Sequence, residues 1–272
     1  QEPIDKLMGA TTGFGVSGVD VEAFRENVAA NPGKPADWAT ETEKGDGELF
    51  SPYFQNVFER ARADGVIPAD SPLEGYWSTL TEAGEATGLN VVRVDGIDCT
   101  NVWDLTRAEI EGRKQVLDAL KALKRYQPGF EKAKLRTIGS AIGTRESRKI
   151  TGRYYLTGDD VRGEAKFADS IGIFPEFLDA YGIVIIPTTG RYFQVPYGIM
   201  VPQKIDNLLV AGRCVAGDQV SHSATRQMIC CALTGQGAGV AAATSLKAGT
   251  STASVDIGQV QKALEKQGVR IK

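Results

Sequence analysis

The chain is 272 residues long and contains a single histidine, His222. One histidine with scattered cysteines cannot compose the usual zinc site, so no metal is expected. The four cysteines, Cys99, Cys214, Cys230 and Cys231, show no CxxC spacing, and the adjacent pair is poorly placed to bond to itself. That excludes a disulfide framework and points to a reducing, cytoplasmic setting. Charge of one sign is also lacking: 31 Lys and Arg face 34 Asp and Glu, for a net charge of −3. No global basic field is present to recruit nucleic acid. No apolar run reads as long enough to span a bilayer, no stretch reads as a signal peptide, and no internal repeat is visible.

What is present is enough apolar material, 42% of residues, for a large core. Gly13-Phe14-Gly15-Val16-Ser17-Gly18 matches GxGxxG literally. The residues before it make a poor strand, and Asp37 follows a loop-like NPGKP run. A glycine-rich turn is therefore expected rather than a dinucleotide fingerprint, with a helix following over 19–30. Further helices are expected over 50–65, with Phe54, Val57, Phe58 and Ala61 on one face, and over 104–125, with a stripe of Ile110, Val116, Leu117, Leu120 and Leu123. Thr106 and Glu109 have capping-box spacing. Strands are expected over 90–95, 135–142, 182–187 and 194–201, with Pro196 at a strand start or edge. Gly249 to Ser254 reads as a linker and 259–267 as a last short helix.

The stretch from Asn207 to Ala243 is the densest in chemistry. A buried-strand signal, Leu208 to Ala211, stops at Gly212. A polar turn carries Arg213, Asp218 and His222, and an apolar helix follows with Gly235, Gly237 and Gly239 near its middle. Strand, glycine, loop and helix N-terminus together form a general anion-receiving shape.

This stretch resembles the C-terminal flavin-contacting segment of FAD-dependent oxidoreductases related to glutathione reductase. The shared run is Gly212-Arg213-Cys214, His222, Thr225-Arg226, Met228, Cys231, Gly235-Gln236 and Ala238-Gly239, without a gap. LTRAEIEGRKQV with its Pro128-Gly129-Phe130 exit, and Ile142 to Val161, are similar to the same family. The resemblance implies an α/β chain forming part of a glutathione-reductase-like FAD-binding fold. In it, 1–180 would be mainly the substrate or cap region, 181–249 the C-terminal part of the FAD-binding domain, and 250–272 a linker and helix. The family's N-terminal strand and true GxGxxG turn have no counterpart here. The resemblance therefore implies a separate polypeptide that carries the dinucleotide-binding half and completes the sheet. Gln1 in first place fits cleavage of a precursor, or an artificial boundary.

The N–H groups of Gln227, Met228 and Ile229 are the candidates for the anionic edge of the flavin ring. Gly212 would let the backbone approach the cofactor, and Arg213 or Arg226 would offset phosphate charge or brace the loop. His222 is either a proton donor and acceptor or a loop brace, since imidazole titrates near neutrality. Arg145 and Tyr197 are candidates for substrate orientation or flavin-edge contacts. Tyr154, Tyr155, Phe174, Phe177, Tyr181, Tyr192 and Phe193 could line an apolar pocket, though core is the simpler reading for most. The cysteines read as packing residues. The expected activity is hydride transfer between flavin and a small organic substrate. A flavin-dependent isomerase or lyase, and a non-catalytic subunit, remain alternatives.

Overall fold

A computed structural model describes residues 7–30, 53–74, 79–180, 183–185 and 190–272. The chain divides into two compact units, with the change at Glu146–Ser147. Both mix helices with small sheets, as an α/β chain should. Asp37 and Tyr181, weighed above, lie outside the described residues.

The first unit runs β1 (Phe14–Ser17), α1 (Val21–Ala30), α2 (Tyr53–Ala63), β2 (Thr79–Leu80), β3 (Ala86–Leu89), α3 (Val102–Tyr126) and β4 (Lys134–Ile138). The strands form one antiparallel sheet in the order β2-β3-β1-β4. The GxGxxG match is therefore neither a turn nor a phosphate cradle: its middle four residues are β1, paired on both sides. Glycine is needed there for close approach. A Cβ on Gly15 would stand 2.8 Å from Thr137 Oγ1 and 3.3 Å from the Ala86 carbonyl oxygen. The strand expected over 90–95 lies earlier, as β3. Only Val94 within that run pairs, through a bridge to Ala10.

Helix α3 starts on Asn101, whose side chain accepts from Trp103 N at 2.9 Å. Thr106 sits inside the helix and donates to the Val102 carbonyl, while Glu109 accepts from Ile142 N, so the expected capping box is not used. The buried face is Ala108, Gly112, Gln115, Val116, Ala119, Ala122 and Leu123. Ile110 and Leu117, expected inside, are 55% and 51% exposed. The reason is distance: a Cβ on Gly112 would collide with Thr12 Oγ1, so α3 lies too close to the first unit's core for large side chains on that face. The core gathers Phe14, Phe24, Val57, Phe58, Ala61, Leu89, Leu123 and Phe130, with Phe24 and Phe130 edge to face at 5.6 Å.

The second unit runs α4 (Gly158–Arg162), β5 (Ser170–Pro175), β6 (Leu178–Ala180), β7 (Ile183–Ile185), β8 (Tyr192–Pro196), α5 (Gln219–Thr225), α6 (Met228–Ala248) and α7 (Ile257–Lys266). Its two ribbons, β5-β8 and β6-β7, are antiparallel. Pro196 ends β8, and a short 3-10 turn, Tyr197–Met200, follows where a longer strand was expected. Leu208 to Ala211 is not a strand: its one ladder-like bond runs from Val210 N to the Met200 carbonyl, and Leu208 is exposed. Phe174 and Phe193 are core, stacked edge to face at 6.1 Å.

Helix α6 buries Cys230, Thr234, Gly237, Ala241 and Ser245, a row spaced by three and four. A Cβ on Gly237 would stand 2.8 Å from Ile171 Cδ1, so the helix lies directly on β5. The opposite face is exposed and carries Met228, Ile229, Ala232, Gly235, Gly239, Ala243 and Leu246, with Lys247 as its one charge in the last turn. By length and composition α6 could cross a bilayer, contrary to the expectation that no stretch would, although its inner row belongs to a folded core.

Candidate functional site

The GRC segment forms a short 3-10 turn, Gly212–Cys214, seated on α6. Gly212 has φ +73°, which favours glycine, and its N–H donates to Thr234 Oγ1 at 2.9 Å. On the side where a Cβ would project, only Cys231 comes within 4 Å, its Sγ at 3.9 Å.

Asp218 then does more than sequence reasoning assigned to it. One carboxylate oxygen accepts from Ser221 N at 2.7 Å and caps α5; the other accepts from Gly158 N at 2.9 Å, at the start of α4. The polar turn thus carries its own anion, bonded to backbone donors at two helix starts. The signal was an aspartate three residues before Ser221, the ordinary N-cap offset.

His222 is buried in α5, its N–H on the Asp218 carbonyl at 3.0 Å and its carbonyl accepting from Arg226 N at 2.9 Å. Arg226 closes α5, and its guanidinium binds the side chain and carbonyl of Asp179 at the β6 strand. Gln227 follows directly as the N-cap of α6, so no loop separates the two helices. The Gln227 side chain donates to the Ser223 carbonyl at 2.9 Å, and its N–H is spent on the Ala224 carbonyl at 3.1 Å. Of the three N–H groups expected to face an anion, this one is therefore used within the protein.

The tip of α6 is different. Helices α3, α4, α5 and α7 each receive a side-chain cap, from Asn101, Thr157, Asp218 and Asp256, whereas Gln227 gives α6 none. The first N–H bonded inside α6 is that of Cys231, on the Gln227 carbonyl at 2.8 Å. Those of Met228, Ile229 and Cys230 precede it and have no intrahelical acceptor. Met228 and Ile229 are 88% and 76% exposed. A 21-residue helix directs its dipole at this tip. Arg213 and Arg226 add positive charge: burial pushes the Cys231 thiol up, and the two guanidinium groups pull against it.

Tyr197 is buried, and its hydroxyl donates to the Thr252 carbonyl at 2.7 Å; burial pushes its pKa up to about 12. Arg145 lies in the first unit, where it donates to the Gly9 carbonyl at 2.7 Å and to Asn90 Oδ1 at 3.0 Å. His222, Tyr197 and the α6 tip share the second unit. No cluster of metal-ligating side chains occurs among the described residues.

The tip of α6 is thus uncapped by any side chain and lies beside the Gly212 turn. The family described as FAD dependent oxidoreductase matches residues 2–264, nearly the whole chain. The chain belongs to that family, its cofactor is FAD, and its role is flavin-dependent redox chemistry. No curated protein and no solved structure matches it. The residues fit the redox-ring end of FAD, which becomes an anion on reduction. The paired strands of both units are antiparallel, and one isolated bridge, Leu156 to Gly217, is parallel.

Proposed function

We propose that the α6 tip receives the anionic edge of the flavin ring, and that a separate dinucleotide-binding polypeptide grips the adenosine end. When bound, FAD supplies a carrier that exchanges hydride with a small organic substrate. The uncapped tip is the observation that carries the reading. Met228 and Ile229 donate backbone N–H groups there, and Arg213 raises the local positive potential. Gly212 admits the cofactor close to the backbone, and Arg226, tied to Asp179, fixes the helix junction behind the tip. His222 is the proposed proton-handling side chain. Tyr197, bound to a main-chain carbonyl, is proposed as a positioning residue.

The exposed apolar face of α6 supports the second polypeptide. A face of this kind loses free energy in water at roughly 25 cal/mol per Å² left uncovered. The test is to purify the native protein, record its visible spectrum and sequence every chain present. A yellow complex of two polypeptides, from which this chain alone releases FAD, is the expected result. This chain holding FAD stoichiometrically by itself would remove the partner; a colourless complex that binds no added FAD would remove the flavin-site reading.

A further inference from the structure

Neither the core of the first unit nor the flavin reading uses the outer face of α3. At 3.6 residues per turn, Trp103, Ile110 and Leu117 fall nearly in line, one every second turn, and they are 78%, 55% and 51% exposed. Exposed cations flank that line: Arg107, Lys114 and Arg125 on one side, Arg113 and Lys124 on the other, with Lys121 on the line itself. The four acidic groups of the helix, Asp104, Glu109, Glu111 and Asp118, fall outside these rows and are only partly exposed. Six basic residues against four acidic make α3 a positive element on a chain whose net charge is −3. Arg107, Arg113 and Lys121 are paired within the helix, to Glu111 at 3.6 Å, Glu109 at 3.4 Å and Asp118 at 2.9 Å. Exposed pairs of this kind hold weakly and exchange readily for another anion. Lys114 and Lys124 belong to no ion pair among the described residues.

We propose that the outer face of α3 seats the protein on an anionic phospholipid membrane. The three apolar side chains enter the headgroup layer, and the cations on either side meet lipid phosphates and carboxylates. The charge of the face selects an anionic partner, and its spacing selects a lipid surface over a protein. A partner helix needs apolar residues three and four positions apart, so that a continuous seam forms. Here the turns between the apolar residues carry Thr106, Lys114 and Lys121, which such a partner would have to bury. In a headgroup layer the same lysines keep their tips hydrated while their stems lie along the apolar line. Trp103, with an apolar body and a polar N–H, suits the boundary between headgroups and acyl chains. A second copy of the chain would set cations against cations. The helix lies along the membrane rather than across it, because its other face, which includes Ala108, Val116, Ala119 and Leu123, belongs to the core.

The inference does not rest on the flavin reading, because its readout is lipid binding. Native protein is sedimented with vesicles of phosphatidylcholine alone, and with vesicles of equal parts phosphatidylcholine and phosphatidylserine. Binding is expected to the second only, and it should weaken steeply with added salt. Each cation removed near such a surface lowers binding roughly fivefold, so Lys114→Gln with Lys124→Gln should lose roughly twentyfold. Trp103→Ala, or Ile110→Gln with Leu117→Gln, should weaken binding while leaving its salt dependence in place. All of these positions are exposed, so the circular dichroism spectrum should not change. Equal binding to both vesicles, binding to neither, or binding that the α3 variants leave intact would each overturn the proposal. So would a concentration-dependent dimer, seen by sedimentation velocity and abolished by Trp103→Ala.

Discussion

Ile229 offers the sharpest test of a single residue. A carboxylate in the first turn of a helix stabilises the helix by about 0.3–1 kcal/mol, yet the same charge opposes an anion arriving at the tip. Ile229→Glu should therefore leave thermal stability unchanged or slightly raised while FAD affinity falls about tenfold, roughly 1.4 kcal/mol. Flavin fluorescence titration beside a melting curve separates the two effects. Tyrosine gives a second test. Tyr154 and Tyr197 both have pKa values raised to about 12, in each case first by burial and, for Tyr154, then by its bond to Asp160. Below about pH 10 both are neutral folded or unfolded, so they add no pH dependence. Between about 10 and 12 the unfolded chain ionises while the folded one resists, so stability falls across that window. Denaturant unfolding at stepped pH should show the fall, and Tyr154→Phe with Tyr197→Phe should flatten it.

At the scale of elements, α6 has two glycine environments. Gly237 faces Ile171 with no room, so Gly237→Leu should cost about 1–3 kcal/mol by overpacking. A Cβ on Gly235 or Gly239 would meet nothing within 4 Å, so Gly239→Ala should stabilise the isolated chain by about 0.5–1 kcal/mol through helix propensity. Chemical denaturation of the two variants checks both signs. The same helix shows what was legible beforehand. Its existence was readable from the GRC…H…TRxM run and the glycines, whereas its inward face was not, because Ala, Gly, Cys and Thr carry little periodic contrast. Helix α3 was readable in extent but not in orientation: large apolar residues suggested one stripe, and close approach selected the small-residue face instead. Leu208 to Ala211 failed as a strand for a related reason. Four apolar residues specify burial or extension equally well, and only a neighbouring strand turns them into a ladder. The glycine motif at 13–18 misled because glycines serve close backbone approach in a sheet as well as turns.

At the scale of the whole molecule, the two units each have a separate core. Phe24→Ala should cost the first unit about 3–5 kcal/mol, visible as an earlier unfolding transition by calorimetry. The proposed association with a second polypeptide is tested on the outer face of α6, where Ala243→Glu with Leu246→Glu should leave the circular dichroism spectrum intact and abolish that association. Retention of that polypeptide would place its contact elsewhere on the surface.

The junction of α5 and α6 has one more implication. Arg226 ends one helix and Gln227 begins the next, with both residues bonded on either side. There is no spare backbone to act as a hinge, so the three leading amides of α6 are aimed before any ligand arrives. On the proposed function, charge that develops in front of them would meet dipoles already in place and spend nothing on reorienting them. Motions that admit or release small molecules must then be sought in other segments, since this corner of the protein behaves as an anvil rather than a gate.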